Sequence, residues 1–171
     1  ELYNGACGSA GEIGHMTIDV NGPRCRCGNI GCLETLASGT AVAAEARKCI
    51  ANGAKTSLLE LAGGKAEKIT AKTLSQAAKE GDSLALELVS RAGSYLGVGM
   101  VNLINIFNPE MIIVGGGMSK MGNMLLDPAR QVVKDRAFPL PANGQKQIAT
   151  FDFAAAGILG AAAFVHERCS I

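Results

Sequence analysis

One imidazole and three thiols, His15, Cys25, Cys27 and Cys32, lie close together along the chain. Zinc takes such a set tetrahedrally, with Zn–S near ~2.3 Å and Zn–N near ~2.0 Å. Cys25 and Cys27 are one residue apart, tighter than the usual CxxC, and Cys32 follows the segment GNIG, whose glycines let the backbone fold around an ion. Four protein ligands leave no open position for water, so the chemistry is that of a structural rather than a catalytic metal. The competing reading is a group of reactive or buried thiols beside an unrelated histidine. Cys7, Cys49 and Cys169 lie apart from the cluster, a scatter that suits small buried hydrophobes better than a disulfide framework.

Two further places carry residues able to act on a ligand. Glu12 is set between glycines, and Glu34 follows the last cysteine. Glu34 also has a purely structural reading, as a first-turn carboxylate complementing a helix dipole. Gly115, Gly116 and Gly117 follow an apolar run and precede a helical pattern. Backbone amides can approach a nucleotide at such a point, and an ordinary turn explains the triplet equally well. His166 reads as a surface or packing residue.

The elements that would position these groups follow from periodicity. Ile13 to Val20 alternates apolar and polar residues and predicts a half-buried strand. Asn21 to Gly31 is dense in turn formers and predicts a loop organised by something other than its own apolar side chains. Cys32 to Asn52 predicts a helix kinked or restarted near Gly39, and residues 53 to 69 predict a connector. Helices are expected over Thr70 to Lys79, with Thr70 as N-cap, and over Asp82 to Phe107, ended by Asn108-Pro109. Met111 to Val114 reads as a strand buried on both faces. A helix over Met121 to Ala137, a strand over Gln147 to Phe153 and a small-residue helix over Ala155 to Arg168 complete an α/β pattern.

Composition narrows the classes. Lys and Arg number 16 against 15 Asp and Glu, too even a balance for electrostatic tracking of a nucleic acid. The longest apolar run, Ala154 to Val165, is shorter than the roughly 20 residues that cross a bilayer. Glycine supplies 22 residues and aromatics only 4%, so the core must be built from closely packed Ala, Leu, Ile and Val. No secretory signal pattern opens the chain at Glu1, and the expectation is a cytoplasmic protein, present here as part of a longer one.

The ordered segments GEIGH (Gly11 to His15), CRCGNIGCLE (Cys25 to Glu34) and ASG (Ala37 to Gly39), with FNPEMIIVGGGMS (Phe107 to Ser119), resemble the signature of the ROK family. That family comprises sugar kinases and sugar-responsive repressors. The resemblance spans nearly the whole chain and is strongest toward the bacterial glucokinases. It implies an actin-like, RNase H-like α/β lobe, with the zinc loop at 21–33. It also implies that Glu12, His15 and Glu34 bind sugar hydroxyls, that Gly115 to Gly117 border the adenosine, and that the protein forms a homo-oligomer. Neither GxxxxGK nor DxGxT occurs in the 171 residues. In the family the phosphate loop and the general-base Asp precede the GEIGH segment, so the chain resembles a C-terminal lobe. The implied activity is phosphorylation of glucose, or a related hexose, at the 6-hydroxyl with ATP and Mg²⁺. The alternatives are the sugar-sensing domain of a repressor and a zinc-stapled interaction module with no ligand.

Overall fold

The computed structural model describes residues 3–139 and 147–150. Its helices start and stop where local chemistry provides for it. Helix α1 (Leu33–Ala37) ends at Ser38, whose extended backbone breaks the helix. The Ser38 hydroxyl then accepts from Ala41 N at 3.2 Å and starts α2 (Gly39–Ala51). The restart near Gly39 is therefore a cap, which satisfies an amide the new helix leaves unpaired. The connector contains a one-turn α-helix, α3 (Leu58–Leu61), with Leu58 fully buried, and a 3₁₀ turn at Ala66–Lys68. Helix α4 (Ala71–Lys79) opens on Thr70, which exchanges side chain–backbone hydrogen bonds of 3.3 Å with Thr73. Helix α5 (Ser83–Phe107) ends at Asn108, left-handed at φ 46°, ahead of Pro109.

Asp82 does two tasks at the start of α5. One carboxylate oxygen accepts from Ala85 N at 2.9 Å and caps the helix. The other accepts from Ser57 N at 2.7 Å, Thr56 Oγ1 at 2.8 Å and Ser57 Oγ at 2.9 Å, tying α5 to the start of α3. Burial opposes ionisation of this carboxyl, but the amides of Ala85 and Ser57 and the two hydroxyls outweigh it and hold its pKa below the ordinary 3.8. A lowered folded-state pKa gives stability that is present above the ordinary value and is lost as pH falls below it. Asp82→Ala is expected to cost about 0.5–2 kcal/mol at neutral pH. Urea melts should show the gap to wild type narrowing as pH drops below 3.8. A gap independent of pH would refute the assignment.

The main core lies among α2, α3, α4 and α5, with Val89, Leu58, Leu74 and Ile69 fully buried. Helix α6 (Asn123–Arg136) packs along α5 at close range. A Cβ at Gly97 would stand 2.7 Å from Ala129 O, so the glycine permits the approach. This is the close packing that the glycine-rich, aromatic-poor composition demands. Strands β1 (Met111–Val114) and β2 (Gln147–Thr150) pair in parallel, Met111 opposite Gln147 and Val114 opposite Thr150, with α6 as the crossover.

Three expectations need correction. Ile13 to Val20 is not a strand: it holds a 3₁₀ turn at Ile13–His15 and one isolated antiparallel bridge, Thr17 with Cys32. The alternation does not mark a buried face there, since Val20 is 79% exposed, and no ladder forms. Among the described residues strand β1 is covered on one face only. Ile112 and Val114 pack on Met100, Leu126 and Ala129, whereas Met111 and Ile113 are 45% and 57% exposed. Helix α6 begins at Asn123, after a 3₁₀ turn over Gly117–Met121. The expected end of the second strand, the helix over Ala155 to Arg168 and His166 lie outside the described residues. Among the described residues no helix is long and apolar enough to cross a membrane.

Candidate functional site

The site is built on a short hairpin folded back against the 3₁₀ turn. Its foot is held by Leu33 N donating to Met16 O at 2.9 Å and Ile18 N to Gly31 O at 2.8 Å. Its arms are held by Gly31 N to Pro23 O at 2.8 Å and Cys25 N to Asn29 O at 2.7 Å, with a bridge between Arg24 and Ile30. Gly31 lies at φ 64°, and a Cβ there would overlap the carbonyl oxygen of Asp19. Only glycine gives both the left-handed backbone and the close approach.

This fold brings all four predicted ligands together. One donor atom from each of His15, Cys25, Cys27 and Cys32 lies within 4.8 Å of the others. Cys27 Sγ and Cys32 Sγ are 3.7 Å apart, and Cys25 Sγ is 3.7 Å from His15 Nδ1. Sulfurs on a tetrahedral zinc stand about 3.8 Å apart, so the donor set fits that ion. Cys25 and Cys32 are buried and Cys27 is exposed. Burial, together with Cys25 and Cys27, pushes the Cys32 thiol up to about 11, while the Asn29 N–H draws Cys27 below its ordinary value. Three crowded sulfurs do not readily share negative charge without a cation, and metal uptake here would displace the Cys32 proton.

Two carboxylates flank the same imidazole. Glu34 Oε2 is 3.9 Å from His15 Nδ1, and Glu12 Oε2 is 4.0 Å from Nε2. Glu34 is carried by the first turn of α1, directly after Cys32, so a metal that fixes Cys32 would also fix Glu34. His15 and Glu34 open onto a cleft of about 650 Å³ whose walls include Arg24, Glu45, Lys48 and Arg91. On its helical wall Glu45 is bridged to Arg91 at 3.1 Å and to Lys48 at 3.5 Å.

Gly115 to Gly117 leave the carboxyl end of β1, the edge at which ligands enter open parallel sheets. Among the described residues no atom would meet a Cβ within 4 Å at any of the three. The turn they begin reaches the other group of residues: a Cβ at Gly39 would lie 3.5 Å from Met118 Sδ and 2.8 Å from Ala71 Cβ. Residue patterns gave no notice of Thr17 and Asn29, which join the hairpin to the 3₁₀ turn through side-chain hydrogen bonds. Neither has a chemical type that stands out in a turn-rich segment, and their pairing spans twelve residues.

A helical layer followed by a parallel β–α–β unit fits one lobe of an actin-like α/β protein. The chain belongs to the ROK family, whose sequence profile matches residues 1–168. It is 39% identical to the glucokinase of Thermotoga maritima over 98% of its own length and 52% of that protein. It is 38% identical to the xylose repressor of Caldicellulosiruptor bescii over 81% of its own length and 34% of that protein. Among solved structures it superposes on a ROK family glucokinase from Streptomyces griseus, in complex with glucose and AMPPNP, with a TM-score of 0.85 and 32% identity. That match covers 96% of this chain and 54% of the other. The chain spans about half the length of the glucokinases it matches, and less of the repressor.

Proposed function

We propose that this chain is the sugar-recognising lobe of an ATP-dependent hexokinase of the glucokinase type, acting on the glucose 6-hydroxyl. The observation that carries this is the pair of carboxylates, Glu12 and Glu34, on either edge of His15, with His15 and Glu34 lining a cleft of about 650 Å³. A hexose presents hydroxyl donors at fixed spacing, and ionised carboxylates accept bidentate, charge-assisted hydrogen bonds from them. His15 would face a metal with Nδ1 and leave Nε2 toward Glu12 and the sugar. Zinc, when bound, supplies a rigid cross-link among His15, Cys25, Cys27 and Cys32. These ligands then hold Glu34 at a constant distance from Glu12. ATP, with Mg²⁺, would lie against the backbone of Gly115 to Gly117. The family resemblance draws the proton acceptor for the 6-hydroxyl from outside these 171 residues, so Glu12 and Glu34 serve to bind and orient. The glucokinase relatives and the glucose complex of the Streptomyces protein support this reading.

The xylose repressor relative favours a second reading, in which the same carboxylates sense a sugar for a DNA-binding protein. A coupled assay on the longer protein, with ATP, Mg²⁺ and glucose, separates the two. Turnover is expected. Absence of turnover, with sugar-dependent release of operator DNA, would establish the repressor. In the kinase, Glu12→Gln and Glu34→Gln each replace charged with neutral acceptors, a loss of about 1 kcal/mol or more per bond and roughly fivefold in the sugar KM. The ATP KM should stay unchanged. Unaltered sugar affinity in both variants would remove these residues from the site.

A further inference from the structure

The four candidate ligands come from two pieces of chain, and the hairpin foot accounts for only part of their spacing. Cys32 is placed by its neighbours at the foot, where Leu33 N donates to Met16 O at 2.9 Å. Cys25 and Cys27 lie on the far arm and tip, away from those contacts. Asn29 spans the interval. Its Nδ2 donates to Thr17 Oγ1 at 3.0 Å and to His15 O at 3.4 Å. Its main-chain carbonyl accepts from Cys25 N at 2.7 Å, and its N–H favours the thiolate of Cys27. The Thr17 hydroxyl that accepts from Nδ2 itself donates to Ile30 O at 3.2 Å, closing a ring of bonds between hairpin and turn. The Asn29 Oδ1 accepts from Ile30 N at 2.8 Å and so fixes which way the amide points.

We propose that Asn29, through Thr17, is the positioning residue that sets the hairpin at ligand distance from His15, and thereby governs metal affinity and the placing of Glu12 beside the metal loop. The inference rests on the zinc reading above. One residue bonds the main chain of two ligands, His15 and Cys25, and that pair has donor atoms 3.7 Å apart. Without the amide the hairpin can swing on its foot, and the metal then has to supply the ordering itself. Partners that orient metal ligands commonly carry ~10- to 100-fold of the affinity.

The test is zinc affinity by competition with a chromogenic chelator, on the chain carrying Asn29→Ala, Thr17→Val or both. Each single variant should bind zinc roughly 10- to 100-fold more weakly. The double variant should be little worse than Asn29→Ala, because both changes remove the same bond. Helical circular dichroism and its melting midpoint should match wild type, since the main core contains neither residue. Affinities equal to wild type, single losses that simply multiply in the double variant, or helices that melt together with the metal site would each overturn the role of Asn29. A wild-type chain that takes up no zinc would overturn the zinc reading and this inference together. Indifferent variants of a zinc-binding wild type would overturn this inference alone.

Discussion

Cys32→Ser is expected to abolish stoichiometric zinc, from one ion per chain in the wild type to none, and to release the segment from Asn21 to Gly31 from its fold. The reason is how little else holds that segment. Among its residues only Cys25 and Gly31 are buried, and Ile30 is 41% exposed, so there is almost no apolar burial to offset the entropy of ordering the chain. Structural zinc in small thiolate sites supplies on the order of 10–16 kcal/mol of apparent folding free energy. A serine hydroxyl stays protonated and neutral, and at this fully buried position it cannot replace a thiolate. Because the Cys32 thiol stands near 11 without metal, zinc uptake by wild type at neutral pH should release a proton that the variant does not. The main helical core contains none of the ligands and should persist, so the loss is local. Elemental analysis and limited proteolysis read the two effects, and Cys49→Ser, in α2 and outside the cluster, is the control. Wild-type protein without zinc, its three loop thiols freely alkylated, would end the metal assignment.

Gly31→Ala is expected to be nearly as damaging, although it removes no ligand. Two costs coincide at this residue. The left-handed backbone at φ 64° costs an alanine ~1–2 kcal/mol. The added methyl would also overlap Asp19 O, which is backbone and cannot rotate aside. Relief requires the strand arm to move, and that movement breaks the bonds from Ile18 N to Gly31 O and from Gly31 N to Pro23 O, each 2.8 Å. Cys32 is the next residue, so its sulfur moves with them. We expect several kcal/mol lost from the hairpin and zinc affinity lowered accordingly. Two sister variants isolate the causes. Gly28→Ala has positive φ but open space, and should show only the backbone cost. Gly115→Ala has neither obstacle and should be close to neutral for zinc. Chelator competition across the three variants checks the order, and Gly31→Ala binding like Gly28→Ala would refute the overlap argument.

The chemistry of this protein is largely legible in its sequence because ligand identity is a local property. His15 and the three cysteines form a candidate ligand set by type and spacing alone, and the fold brings their donor atoms within 4.8 Å of one another. Helix ends are equally local: Ser38, Thr70, Asp82 and Asn108-Pro109 act on amides or dihedrals a few residues away, and each lies where a helix starts or stops. What depends on closure between distant segments was decided by the tertiary structure. Alternation over Ile13 to Val20 states which side chains prefer burial, but a strand needs a neighbour, and the hairpin offers this segment a single bridge. Continuous apolar residues in β1 cannot say how many faces are covered, and Met111 and Ile113 stay exposed. Which nitrogen of His15 meets the thiols, and the amide of Asn29 that spans hairpin and turn, follow from contacts across ten to fourteen residues. Such contacts exist only once loop entropy has been overcome by the fold as a whole, which is why residue type and period carry no trace of them.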